Sequence, residues 1–420
     1  MTTVMIIAGE SSGELYGALL ARELKKKWPD LQIIGIGGAK MQETGVRLIA
    51  KISDAFGLVE AVSSLRKVKI ALNRAGEALK EFRPEVLIPI DYPDFNLRVA
   101  AMARPLGVRV LYYVSPQVWA WRGGRVKKIA GLVDKMAVIL PFEEKIYRDA
   151  GVACEFVGHP VLEEIEEVLG TDNRNQMSDV GYQNSRITRA GTSDILPVAP
   201  ISESRAYYKA ALGFQTDRPL LSLLPGSRPG ELSRHFPVII DAVRQFKNDP
   251  AISPAMNCQF SVPLAPNTDE DKFRPYIEVL RREGVAVRKG ESVRALAASD
   301  TAVVASGTAT LQAALLEVPM VVIYKLSPLT YHLGKRIVKV KHISLVNILA
   351  GREVVREFLQ DKATPVNITE ELKKIMFEKQ HGESMIAEFR LIKEKFAGKK
   401  PSARVAEIVM EMAGRTSQQQ

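Results

Sequence analysis

Cysteine is nearly absent. Two residues, Cys154 and Cys258, serve 420 positions, and no CxxC spacing occurs. That argues against a disulfide framework and a cysteine-based zinc site, and it suits a reducing cytoplasm. Long apolar runs are missing as well. With no stretch of about 18 or more apolar residues, no membrane-spanning helix is expected. The opening MTTVMIIAGESSGE has neither a basic leader nor a long apolar core, so no signal peptide is expected there. Nucleic-acid-binding motifs are also lacking, so no nucleic-acid partner is expected despite a net charge of +10. The charge still suits an anionic partner, a nucleotide or an anionic membrane surface, and fits equally a basic enzyme with neither.

What is present is an alternation of short apolar runs and amphipathic stretches. Thr3–Ala8 (TVMIIA), Leu31–Ile36, Val86–Ile90, Val108–Val114 and Lys135–Leu140 read as buried strands. Between them lie helical segments such as Lys67–Phe82 and Glu14–Trp28, the latter with Leu15, Leu19, Leu20 and Leu24 at helical spacing. This rhythm predicts a parallel sheet with helices on both faces. It restarts at Pro219–Leu224 and continues through Gln259–Pro263, Val285–Arg288, Thr301–Ala305 and Met320–Tyr324. The expected class is α/β, with two Rossmann-like doubly wound domains, residues 1–165 and 206–370, facing a cleft. A polar linker, 166–205, separates them; its segment Gly170–Glu203 is unperiodic and reads as a loop. Residues 371–420 read as helices that pack back on the first domain.

Four turns follow predicted strands, where open parallel sheets bind ligands. In Gly9-Glu10-Ser11-Ser12-Gly13-Glu14 small residues allow a tight turn that presents N–H groups at a helix start. A plain helix start capped by Ser11 or Ser12 explains it as well. Next comes Asp91-Tyr92-Pro93-Asp94-Phe95-Asn96, with Asp91 placed as a general base for a hydroxyl and Asp94 as a helix cap, although turn aspartates without chemistry are common. In Pro225-Gly226-Ser227-Arg228 the turn offers N–H donors, and Arg228 adds a permanently charged planar fork that suits a diphosphate. Ser306-Gly307-Thr308 opens a helix in the same manner, with Gln312 on its first turn within reach of a ribose. A helix-start turn with a solvated arginine, and a plain capped helix, remain open for these two. Taken together they describe a nucleotide diphosphate site. Ser11, Ser12, Gly13, Asp94, Asn96 and Trp119 are then candidates to hold an acceptor. His159 either approaches the donor or is a turn histidine.

Longer stretches carry a resemblance. AGESSGE, PIDYPDFN, YYVSPQVWAWRGGRVKKI, FVGHP, LLPGSRPGE, ASGTATLQAALLEVPMVVIYK and ISLVNILAGREVVREFLQ resemble the lipid-A-disaccharide synthase family, inverting glycosyltransferases of the GT-B architecture. VSPQVWAWR and NILAGRE are the specific parts, and they argue against a peptidoglycan transferase or a UDP-N-acetylglucosamine epimerase, while the presence of Asp91, Arg228 and Asn347 argues against a non-catalytic UDP-binding surface protein. The resemblance implies a donor, UDP-2,3-diacylglucosamine, an acceptor, 2,3-diacylglucosamine 1-phosphate, and no metal or other cofactor. It implies Asp91 as base for the acceptor 6-hydroxyl, and Arg228 and Asn347 as polar groups needed for activity and UDP binding. Gly226, Ser227, Ser306, Gly307 and Thr308 would cradle the diphosphate. Glu14 stands where Asp is frequent, Gln312 where Glu is usual, and Val346 where Pro is common. The acylated substrates imply a peripheral enzyme on the cytoplasmic face of the inner membrane, and a homodimer is compatible with it. Phe56–Leu72, Tyr331–Lys341 and the run from Trp119 and Trp121 through Arg122, Arg125, Lys127 and Lys128 are the candidate lipid-facing stretches.

Overall fold

In the computed structural model, which describes residues 2–51, 61–119, 124–179, 201–252, 257–327 and 341–415, the apolar runs are parallel strands of two compact units. The first unit takes in the chain up to Glu163 and again from Lys399. Its strands are β1 (Thr3–Ala8), β2 (Gln32–Gly37), β3 (Arg47–Lys51), β4 (Val86–Ile90), β5 (Arg109–Tyr113), β6 (Lys135–Val138) and β7 (Ala153–Phe156). They lie in the order β3-β2-β1-β4-β5-β6-β7, every neighbour parallel. β1 pairs with β4 from Val4 on Val86 to Ala8 on Ile90. Chain order reverses at that pair, which opens a crevice beyond the carboxyl ends of β1 and β4.

The second unit runs from Glu164 to Gly398 through the described residues. It holds β8 (Leu220–Leu224), β9 (Gln259–Leu264), β10 (Val285–Lys289), β11 (Thr301–Ala305), β12 (Met320–Tyr324) and β13 (Glu357–Leu359). The order β10-β9-β8-β11-β12-β13 repeats the first topology, with the reversal between β8 and β11. β1, β4, β8 and β11 are buried at every position. Strands covered on both faces call for near-continuous apolar sequence rather than alternation, and these four have it apart from the buried Thr3, Ser222 and Thr301.

Helices cover the sheets because their apolar residues recur every three or four positions. Helix Pro229–Asn248 buries Leu232, Phe236, Ile239, Val243 and Phe246. In the first unit Met5, Ile7, Ile36, Leu87, Tyr112 and Met136 pack into one core cluster with Ala75 and Leu79 of helix Ala61–Phe82. Each such aliphatic side chain contributes roughly 1.5–3 kcal/mol by leaving water.

Two expectations change. Helices Val161–Asp179 and Ile201–Ala211 enter the segment read as a loop from both sides, so 170–179 and 201–203 are helical, while 180–200 lie outside the described residues. The polar run at 202–205 hid the start of that second helix. Of the helices expected to return to the first domain, only Pro401–Met412 belongs to it, packed on helix Ser11–Lys27; Pro365–Phe377 and Lys379–Glu394 belong to the second unit. Arg404 forks onto Glu155 (Nε–Oε1 2.6 Å, Nη2–Oε2 3.1 Å), Lys27 reaches Glu407 (3.1 Å), and Ser402 bonds Glu163. Among the described residues no helix is long and apolar enough to cross a membrane.

Candidate functional site

At the reversal point of the first unit, the chain leaves β1 through Gly9 and β4 through Asp91. Gly9 has no room for a side chain: a Cβ would lie 2.5 Å from Tyr92 Cβ. The helix that follows begins at Ser11, with Glu10 as its N-cap and no side-chain cap bond. The capping role expected of Ser11 or Ser12 is therefore absent; both fall inside the first turn, and a Cβ added at Gly13 would meet Ile90 at 3.5 Å. Glu14 accepts from Lys40 N–H (2.9 Å) and so anchors the next helix, Ala39–Glu43.

Asp91 and Tyr92 both adopt left-handed backbone, φ 48° and 42°, and Val114, just after β5, has φ 64°. Non-glycine residues pay about 1–3 kcal/mol each for such geometry, and it persists where neighbours impose it. Here the neighbours are visible. Asp91 N–H donates to Tyr113 O (3.2 Å), and its carbonyl accepts from Asn96 Nδ2 (2.6 Å) and Tyr112 OH (2.6 Å). Asn96 also donates to Ile90 O (3.1 Å) and is fully buried. It is thus a pin for the Asp91 backbone and not a group that faces an acceptor. Asp94 is not the cap either. The N-cap is Tyr92, and Asp94 lies in the first turn, ion-paired with Arg125.

Trp119 is held by a buried acid. Its Nε1 donates to Glu143 Oε1 (3.1 Å) and its ring meets Phe142 edge-on at 5.2 Å. Glu143 Oε2 accepts from Leu140 N–H (3.1 Å). Burial pushes the Glu143 carboxyl up to about 8, against the pull of the bonds from Trp119, Leu140, Ser115 and Ile139. His159 is buried, accepts from Val161 N–H at Nδ1 (3.2 Å), and is driven down to about 3 by desolvation, as a structural turn histidine would be. Trp121, Arg122, most of Tyr331–Lys341 and residues 56–60 lie outside the described residues. Arg66, Lys67, Lys69, Ile70 and Arg74 are exposed on one side of helix Ala61–Phe82.

At the reversal point of the second unit, β8 runs into Pro225-Gly226-Ser227-Arg228 and then helix Pro229–Asn248. Gly226 has φ 106°, and a Cβ there would meet Glu231 Oε2 at 2.5 Å. Sequence reasoning gave Glu231 no role, yet it organises the loop. Oε2 accepts from Ser227 N–H (3.2 Å) and Arg228 N–H (3.3 Å), and Oε1 takes Arg228 Nη1 (3.1 Å). The two N–H groups expected to face a phosphate are therefore turned onto a carboxylate of the same chain. Glu three residues after a helix N-cap is the spacing that signals this arrangement.

After β11, Ser306 Oγ donates to Ile343 O (2.8 Å), and Gly307 caps helix Thr308–Leu315 with φ 152°, which a side chain rarely adopts. The amide nitrogen of Gln312, the group expected to reach a ribose, is engaged within the chain. It is buried, and Nε2 donates to Glu164 Oε2 (2.8 Å). A glutamate at 312 would set two carboxylates against each other, so the amide suits this chain. Asn347 is fully buried and bonded on both sides of its amide: Nδ2 to Val355 O and Glu357 Oε1 (2.8 Å each), Oδ1 from Val354 and Val355 N–H (2.7 and 3.0 Å). Both ends of its amide are taken up by the protein, and it fixes the loop. Glu357, also missed, completes that clamp by accepting from Ile343 N–H, Ser344 N–H and Ser344 Oγ at 2.7–3.0 Å. Among the described residues no three His, Cys, Asp or Glu side chains are grouped to hold a metal ion.

Both units thus present a strand-end crevice, one with a strained aspartate, the other with a glycine-serine loop and an arginine. The comparisons with known proteins decide the family. The lipid-A-disaccharide synthetase family model matches residues 4–188 and 195–409. The chain belongs to the lipid-A-disaccharide synthase family. It is 38% identical to the lipid-A-disaccharide synthase of Geobacter sulfurreducens, over 98% of this chain and 97% of that one, and 39% identical to that of Syntrophus aciditrophicus, over 93% of each. It is accordingly a glycosyltransferase of lipid A biosynthesis. Solved structures share only the fold. A UDP-GlcNAc 2-epimerase from Neisseria meningitidis, bound to UDP-GlcNAc, superposes with TM-score 0.60 at 11% identity over 94% of this chain and 99% of that one. A ugt transferase from Siraitia grosvenorii in complex with UDP gives 0.56 at 12% over 99% and 100%. Both are consistent with the GT-B class, and the synthase family membership removes the epimerase alternative.

Proposed function

We propose that this synthase family member transfers the sugar of UDP-2,3-diacylglucosamine to the 6-hydroxyl of 2,3-diacylglucosamine 1-phosphate with inversion. The products are a β-1,6-linked tetraacyl disaccharide 1-phosphate and UDP. Family membership over nearly the whole chain carries this reading, and the two strand-end crevices support a division of labour. We assign the acceptor to the first unit. Asp91 takes the proton as the acceptor oxygen attacks the anomeric carbon, and its strained, pinned backbone aims the carboxylate. The donor belongs to the second unit, where the exposed Arg228 guanidinium meets the negative charge that grows on the departing UDP, beside Gly226 and Ser227 and with Ser306, Gly307 and Thr308 at the neighbouring strand end. We further propose transfer without a metal or other cofactor, at an anionic inner-membrane surface that the exposed cations of helix Ala61–Phe82 help to contact.

The test is incubation of purified protein with both lipids in detergent micelles with EDTA present, followed by mass spectrometry. Disaccharide plus UDP supports the reading and its metal independence. UDP without disaccharide would refute the acceptor, and loss of both that Mg²⁺ reverses would refute metal independence.

A further inference from the structure

His235 sits beneath the donor loop and nothing in the proposed chemistry uses it. It lies on helix Pro229–Asn248 with no exposed surface. Its Nε2 accepts from the backbone N–H of Lys325 at 2.9 Å. That nitrogen therefore carries no proton, so Nδ1, 2.7 Å from the carbonyl oxygen of Pro225, must carry one and donate it. Pro225 follows β8 and Lys325 follows β12, and these strands are not neighbours, since β11 lies between them. One imidazole ring thus bridges the two chain segments on either side of the Ser306–Thr308 turn.

We propose that His235 is a positioning residue of the donor site: as the neutral Nδ1–H tautomer it locks the Pro225–Arg228 loop to the segment leaving β12, and a second proton on the ring releases that lock. The proposal rests on the reading of this loop as the diphosphate site. A protonated Nε2 would face the Lys325 N–H, donor against donor. Charged and titratable groups surround the ring on both elements: Glu231 and Arg234 on its own helix, Tyr324 at the end of β12 and Lys325 just after it, with the Tyr324 ring at 5.9 Å. Burial, together with Lys325 and Arg234, outweighs Glu231 and the Pro225 carbonyl and keeps the ring neutral below the usual histidine range.

The experiment measures equilibrium binding of UDP-2,3-diacylglucosamine, and its KM and kcat, from about pH 4 to pH 8, so that the scan reaches below the range in which histidines ordinarily titrate. The diphosphate of this donor is esterified at both ends, so it does not titrate there. Four proteins are compared: unaltered, His235→Leu, His235→Gln and Arg228→Ala. His235→Leu strands a buried donor and a buried acceptor and is expected to weaken donor binding about tenfold at the upper pH. Its kcat at saturating donor changes less. His235→Gln retains one donor and one acceptor, binds within about twofold of the unaltered protein, and keeps that affinity in acid, where the unaltered protein loses its own. Should His235→Leu not fold, the contrast between His235→Gln and the unaltered protein in acid carries the test. Equal acid loss in those two proteins, or unchanged binding in a folded His235→Leu, overturns the lock while an effect of Arg228→Ala leaves the donor loop standing. An unaltered protein that binds no donor at the upper pH overturns the donor loop and the lock together.

Discussion

Asp91 and Asn347 look alike in the sequence, each a polar residue in a specific stretch, and the structure gives them opposite characters. Asp91 is half-buried at a strand end with strained backbone; Asn347 has no exposed surface and no spare bond. Asp91→Ala is expected to keep UDP affinity and to lower turnover by about a hundredfold or more, as loss of a general base does. Isothermal titration beside a steady-state assay checks this, and near-normal turnover would remove Asp91 as the base. Asn347→Ala is expected to lower the stability of the second unit by about 2–4 kcal/mol, because buried partners on Val354, Val355 and Glu357 lose their bonds. An unchanged melting temperature with weakened UDP binding would instead make Asn347 a ligand-contacting residue. Arg228 is exposed enough to meet a ligand, its side chain 55% accessible, although Glu231 already holds one end of its fork. Arg228→Ala should therefore weaken UDP binding and slow turnover together; unchanged UDP affinity would refute its role at the diphosphate.

At the scale of strands and helices, Asn96 shows how one element aims another. Asn96→Ala removes the amide that ties helix Pro93–Ala103 to the carbonyls of Ile90 and Asp91. Turnover should fall more than tenfold with UDP affinity intact, which is the loss expected when a base drifts by about an ångström. Equal kcat in the variant would mean that Tyr112 and the Tyr113 carbonyl suffice to hold Asp91. The elements themselves were largely legible. Central strands carry nearly continuous apolar sequence and were read within a residue or two of their ends. β3, β7 and β13 escaped because they are sheet edges: RLIAK has exposed ends, ACEF is four residues, and EFL is three. A strand half open to solvent has no need of a long apolar run. The strand-end turns at Gly9, Asp91, Gly226 and Gly307 were legible for the same reason that the central strands were. What sequence could not reveal is the direction of a polar side chain. Asn96, Gln312 and Asn347 point inward, and Glu231, His235 and Glu357 lie in helical or edge segments where the residue type alone does not distinguish a solvated group from a buried clamp.

Across the whole molecule, two buried groups of the first unit set opposite responses to pH. Glu143 is raised from 4.5 to about 8, so the folded state holds a proton that the unfolded chain has released; its contribution is full below pH 4.5 and fades as pH rises toward 8. His159 is lowered from 6.5 to about 3, so its contribution is full above pH 6.5 and fades as pH falls toward 3. Between pH 4.5 and 6.5 the two slopes cancel, which predicts a plateau in this unit's stability. Glu143→Gln is expected to abolish the alkaline fall: its stability relative to the unaltered protein should rise through pH 4.5–8, by at most about 1.4 kcal/mol per pH unit. Urea unfolding at several pH values checks it, and a pH-independent difference would mean that Glu143 is ionised in the folded protein. A different consequence follows from helix Pro401–Met412, which returns to the first unit after the second has been traversed. On the ribosome the first unit cannot bury its helix Ser11–Lys27 fully, nor pair Glu155 with Arg404, until synthesis has passed residue 404. The half that is made first is therefore the half that is finished last, and during translation its uncovered flank is a place for a chaperone to bind.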